Sequence, residues 1–91
     1  MKILILYRPR SEHRLDIEEL VRVLKNTYPK LKTEVLDVDQ REGSATATLY
    51  DVMRYPSILV LRDDGSEVYS WEGEDNIPRL SDVASYAIGE I

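Results

Sequence analysis

The residues best suited to chemistry lie in two short stretches, Tyr7-Arg8-Pro9-Arg10-Ser11-Glu12-His13-Arg14 and Arg54-Tyr55-Pro56-Ser57. Ser11 and His13 offer a hydroxyl and an imidazole. Residues two apart on a helix point to different faces, and no third group is identifiable that would orient the pair, so they are not read as a nucleophile and its base. His13 is the only histidine, with no second ligand at a metal spacing; a solvated histidine in a first helical turn is the plainer reading. Asp37 and Asp39 fall on one face of a strand and would attract a cation, but a hard metal wants several more oxygens. No catalytic residue, metal site or cofactor is therefore expected. The chain has no cysteine, which removes disulfides, thiolate nucleophiles and cysteine-ligated metal centres together.

Arg8, Arg10, His13 and Arg14 are the surprising part, because the chain as a whole is acidic, with a formal net charge of -5. That balance argues against a general nucleic-acid or anionic-membrane surface, which needs a net basic face. A local anion site at the start of a helix is a different matter, since free backbone N–H groups and the helix dipole favour negative charge there. The plainer reading makes Ser11 an N-cap and pairs the arginines with Glu12, Asp16 and Glu18.

The elements that must position these residues follow from periodicity. Lys2 to Tyr7 is a nearly continuous apolar run bounded by Pro9, suited to a strand buried on both faces. From Ser11 to Tyr28, the positions Ile17, Leu20, Val21, Leu24 and Tyr28 recur at helical spacing, and Pro29 closes the helix. Lys32 to Val38 returns to strand, which makes a right-handed crossover between parallel strands. A polar connection, Gln40 to Ser44, leads to a weaker helix from about Ala45 to Met53, with Ala45, Leu49, Val52 and Met53 facing inward. Pro56 stops that helix and starts a strand. The Asp64-Gly65 turn folds Ile58–Leu61 against Glu67–Trp71 as an antiparallel hairpin. A last helix begins near Asn76, with Pro78 in its first turn, and packs through Leu80, Val83, Ala84, Ala87 and Ile88. Ninety-one residues with 43% hydrophobic content make one domain, 1–91. With no membrane-spanning run and no signal-like segment after Met1, it is expected to be soluble and cytoplasmic.

The resulting βαβαββα order, with Asp37-Val38-Asp39-Gln40, Gly43-Ser44-Ala45 and Tyr50-Asp51-Val52-Met53-Arg54-Tyr55-Pro56-Ser57 in sequence, resembles the thioredoxin pattern from its second strand to its cis-proline loop. The likeness continues through the hairpin to Gly73. It implies an α/β fold of the thioredoxin-like kind: a mixed four-stranded sheet, order 4-3-1-2, flanked by helices on both faces, with Pro56 cis. It also puts Ser11 and Arg14 at the two cysteine positions of the family's CxxC motif, and Ile5 where thioredoxins bury a carboxylate. Neither a hydroxyl nor a guanidinium replaces a thiolate in disulfide exchange.

The resemblance thus implies a redox-inactive domain that binds a protein or extended peptide, of acidic character if the arginines take part. The binding residues are Tyr7, Arg8, Arg10, Ser11, His13, Arg14, Arg54, Tyr55, Pro56 and Ser57. The alternative is a binder of a glutathione- or phosphate-like anion, or an enzyme acting on one. Tyr69 and Trp71 share a face of an edge strand, with Glu67 beside them. They either cover a helix flank or offer a route to self-association.

Overall fold

The computed structural model describes residues 1–88 of the chain. Four strands, β1 (Lys2–Tyr7), β2 (Lys32–Asp37), β3 (Ser57–Leu61) and β4 (Glu67–Glu72), form one mixed sheet in the order β2-β1-β3-β4. β1 runs parallel to β2 and antiparallel to β3, and β3 is antiparallel to β4. The helices are α1 (Arg14–Thr27), α2 (Arg41–Leu49) and α3 (Leu80–Ala87), with a 3-10 turn at Glu74–Asn76. This is the sheet order read from the sequence, taken from the other edge. No helix among the described residues is long and apolar enough to cross a membrane.

The continuous apolar runs of β1 and β3 are explained by two cores, one on each face. Strand side chains alternate, so Ile3, Ile5, Ile58 and Val60 pack with Ile17, Leu20 and Leu24 of α1 and with Val83 and Ala87 of α3. The intervening Leu4, Leu6, Leu59 and Leu61 pack with Val38, Ala47 and Val52 on the α2 side. Each such aliphatic side chain contributes about 1.5–3 kcal/mol when fully buried.

Three helix boundaries differ from the sequence expectation. α1 starts at Arg14 and not Ser11, because residues 9–13 turn before the helix begins. α2 lies four residues earlier than expected, and Gly43 and Ala47 are its buried positions. Gly43 is required there: a Cβ would stand 2.1 Å from the Asp37 carbonyl oxygen. Leu49 and Met53, expected to face inward, are 76% and 77% exposed, and Ala45 is exposed too; of the four, only Val52 is buried. The helix ends in a Schellman motif, with Asp51 at φ 57°, its N–H donating to the Thr48 carbonyl at 3.1 Å, and Val52 N–H donating to the Ala47 carbonyl at 2.9 Å. That reversal swings Val52 inward and leaves its neighbours outside. α3 starts at Leu80; Asn76 belongs to the 3-10 turn, and Pro78 sits in an extended link before the helix. Ile88, expected in the packing face of α3, is exposed.

The hairpin closes through Arg62 N–H to the Ser66 carbonyl at 2.8 Å and Gly65 N–H to the Arg62 carbonyl at 2.9 Å. Only Gly65, at φ 90°, takes a positive φ; Asp64 instead accepts from the Ser66 N–H and hydroxyl. A bulge between Val60 and Leu61 pairs Tyr69 with Val60 but Glu67 with Leu61. Glu67 therefore lies on the α2 face, not beside Tyr69 and Trp71 as expected.

Candidate functional site

The Tyr7 end of β1, the first turn of α1 and the loop before β3 meet at one end of the sheet. The Tyr55–Pro56 peptide is cis, and Pro56 and Ser57 are buried. The loop is tied down by Ser57 Oγ, which donates to the Arg54 carbonyl at 2.7 Å, and by Gly73 N–H, which donates to the Pro56 carbonyl at 2.9 Å. The Arg8 guanidinium lies 5.3 Å from the Tyr55 ring centroid, a cation–π contact that joins the two stretches.

Ser11 is not the N-cap. Its hydroxyl donates at 2.6 Å, and its N–H at 3.0 Å, to the Arg8 carbonyl, which closes the turn ahead of the helix. His13 takes the N-cap position. Because the helix starts one residue after it, its ring folds under the turn and is only 6% exposed, which corrects the expectation of a solvated histidine. His13 Nε2 accepts the Arg8 N–H at 3.4 Å. The ring's buried Nδ1 has no hydrogen-bond partner; the nearest carboxylate oxygen, Glu74 Oε2, is 3.7 Å away.

The arginines of the two stretches are dispersed in space. Arg8 faces Asp39 at 3.8 Å, Arg14 faces Glu18 at 3.4 Å and Arg54 faces Asp75 at 3.1 Å. Arg54 also lies across Gly73, which holds φ 99° and where a Cβ would come within 2.6 Å of the guanidinium. Arg10 makes no ion pair among the described residues; it lines a shallow depression of about 310 Å³ with Pro9, Asp37, Asp39 and Gln40. Asp39 lies beyond the end of β2, where its N–H donates to Asp37 Oδ1 at 2.8 Å, and no group of three metal-ligating side chains occurs among the described residues. Tyr7 borders the site, its phenol pKa raised above the ordinary 10.0 by burial and by the nearby Glu18 and Asp37 carboxylates.

The structure thus brings together Tyr7, Arg8, Ser11 and His13 with Tyr55, Pro56 and Ser57, while Arg14 and Arg54 face separate carboxylates and Arg10 has no ion pair among the described residues. Glu74 and Asp75, which face His13 and Arg54, were not legible as site residues, since no spacing relates them to residue 13 or 54. Exposed Met53, beside the cis bond, was also missed. Ile5 is fully buried among aliphatic side chains. At the far edge of the sheet, Tyr69 stacks on Tyr86 of α3 at 4.3 Å, and Trp71 meets the same ring edge-on at 5.6 Å; these aromatics cover a helix flank.

No protein-family model matches the chain, and no curated protein matches it in sequence. Solved structures do match. Thioredoxin 1 from Thermosipho africanus superposes with a TM-score of 0.74 at 16% identity, over 98% of this chain and 92% of that one. Fasciola hepatica thioredoxin gives 0.74 at 20% identity, over 98% and 79%. Thioredoxin O2 from Arabidopsis thaliana gives 0.71 at 17% identity, over 92% and 69%. The likeness lies in the path of the backbone, and the protein has a thioredoxin-like fold without a cysteine with which to perform a thioredoxin's reaction.

Proposed function

We propose that this is a redox-inactive thioredoxin-like domain that binds an extended segment of another protein against the Tyr55–Pro56 loop. The observation that carries the reading is the state of Tyr55. Among the described residues neither its N–H nor its carbonyl has a hydrogen-bond partner, although the residues on both sides are tied down. An extended peptide satisfies such a pair by adding a short stretch of strand. Met53, 77% exposed at its side, supplies an adaptable apolar contact.

The dispersal of Arg8, Arg14 and Arg54 weighs against a glutathione- or phosphate-like ligand here, because each faces a different carboxylate. For the same reason, acidity in the peptide matters less than an extended backbone. The domain is proposed to act in the cytoplasm, as a non-enzymatic component.

The test is an amide-shift titration of the labelled protein with a pool of extended peptides, with glutathione and with phosphate. Saturable shifts at Ser11–Arg14 and Tyr55–Ser57 with peptide, weakened about tenfold in Met53→Asp, support the reading. Saturation by glutathione alone would replace it with the anion reading. An insulin-reduction assay is expected to match buffer.

A further inference from the structure

The opposite end of the sheet carries a second feature that the peptide reading does not use. β1 enters at Lys2 and β2 at Lys32, and these two are direct partners across the parallel pair. Both alternate with residues of the α2-side core, Leu4 and Leu36, so their side chains share one face. Lys30 precedes β2, and Arg62 follows β3. Together with Tyr50, Leu61 and Gly65 these cations line a polar depression of about 540 Å³.

Like charges directly opposed on neighbouring strands destabilise a sheet, and here they belong to a protein of net charge -5. Glu34 pairs with Lys2, and Asp63, on the rim, pairs with the Met1 amine at 2.8 Å. Arg62 is held by the Ser66 hydroxyl and the Glu67 carbonyl. Lys30 and Lys32 have no ion pair among the described residues and are exposed. The four side-chain cations and the Met1 amine outnumber the carboxylates near them, Glu34, Asp63 and Asp64, and leave the depression positive. Its floor is fixed: the Tyr50 hydroxyl donates to the Gly65 carbonyl at 2.9 Å, which docks the end of α2 onto the hairpin.

We infer that the depression between Lys2, Lys30, Lys32 and Arg62 is a binding site for a small multivalent anion of the phosphate-ester class. Two flexible ammonium groups act as point charges on separate phosphate oxygens, and the Arg62 guanidinium presents planar donors beside them. The volume accommodates a diphosphate with an organic group resting on the half-buried Tyr50 ring. The site is separated from the cis-proline loop by the length of β1, so the two can be occupied independently.

The experiment is an amide-shift titration with pyrophosphate at about 0.15 M salt, where interactions between exposed charges are screened beyond about 8 Å. Saturable shifts are expected at Lys2, Lys30–Lys32, Arg62 and Gly65, with Arg8–Arg14 unmoved. Lys30→Gln/Lys32→Gln, two exposed changes whose fold is checked by the unchanged remainder of the spectrum, should weaken binding about tenfold. Shifts that grow linearly, that are reproduced by equal ionic strength of sodium chloride, or that survive in the double variant would overturn the inference. A parallel arm with phosphatidylcholine vesicles, with and without a phosphatidylinositol phosphate, identifies the source. Saturation by pyrophosphate alone assigns a soluble ligand, and co-sedimentation only with the phosphorylated lipid, lost in the double variant, assigns a headgroup.

Discussion

At the Tyr7 end of the sheet, arginines from two stretches of sequence are dealt out to separate carboxylates, Arg8 to Asp39, Arg14 to Glu18 and Arg54 to Asp75. At the Lys2 end, cations from residues 2, 30, 32 and 62 converge on one depression, and among the described residues only Lys2 is ion-paired to a carboxylate. Charge density along a sequence and charge density in space are thus different quantities. Arg8, Arg10 and Arg14 are neighbours along the sequence, whereas a parallel β pair places the starts of two distant segments side by side.

The ends also differ in how much of the fold rests on them, and mutation should expose this. The largest effect is expected at Gly43, whose missing Cβ lets α2 lie against the Asp37 carbonyl. Gly43→Ala should cost about 3 kcal/mol, read from urea unfolding, because backbone must move on both sides. Lys30→Gln/Lys32→Gln, at the other end, should stay within about 0.5 kcal/mol. Comparable losses from the two would break the contrast.

His13 comes next. His13→Ala removes a buried ring and the acceptor for the Arg8 N–H, and should cost about 2 kcal/mol and speed hydrogen exchange at Arg8. His13→Leu keeps most of the volume and also removes the unpartnered Nδ1, so it should lose less stability than His13→Ala while exposing the Arg8 amide equally. A loss confined to stability, with Arg8 exchange unchanged, would show that the ring fills space without holding the turn.

Most of the architecture could be read in advance, because it is written in periods. Ile3 to Leu6 and Ile58 to Leu61 alternate between two cores, and Ile17, Leu20 and Leu24 mark the inner face of α1. What could not be read is set by single backbone events. Asp51 carries a left-handed conformation that ordinarily signals glycine, so the end of α2 was placed too late, and Leu49 and Met53 were turned inward. A one-residue bulge moved Glu67 to the other face. Around the candidate site, the loop at Tyr55 and Pro56 is legible because the proline punctuates the chain. His13 is buried because its ring folds under the turn ahead of α1, and helical periodicity gives no sign of that turn.

Smaller effects test the paired arginines directly. A double-mutant cycle on Arg54→Ala and Asp75→Ala should give a coupling under about 1 kcal/mol, since both side chains are well exposed. A much larger coupling would mean that the pair clamps Gly73 and that the cis-proline loop is braced from outside. Tyr7 supplies a pH readout. Its raised pKa comes first from burial and then from Glu18 and Asp37, so the neutral phenol is favoured by folding. That contribution is intact below the unfolded phenol pKa of about 10 and is lost as pH rises through the folded value. Absorbance titration of the protein against Tyr7→Phe should show the missing phenolate among the late-titrating ones.

The smallest effect isolates the lower end. Lys32→Gln relieves the Lys2–Lys32 opposition and should raise stability by a few tenths of a kcal/mol at low salt. At about 1 M salt the Debye length shrinks to about 3 Å, and the difference between the two proteins should vanish. Pyrophosphate should do for the native protein what the substitution does for the variant, raising its melting temperature while leaving that of Lys30→Gln/Lys32→Gln nearly unchanged. A salt-independent gain from Lys32→Gln would assign the effect to strand propensity, and the repulsion that an anion is proposed to relieve would then be too weak to matter.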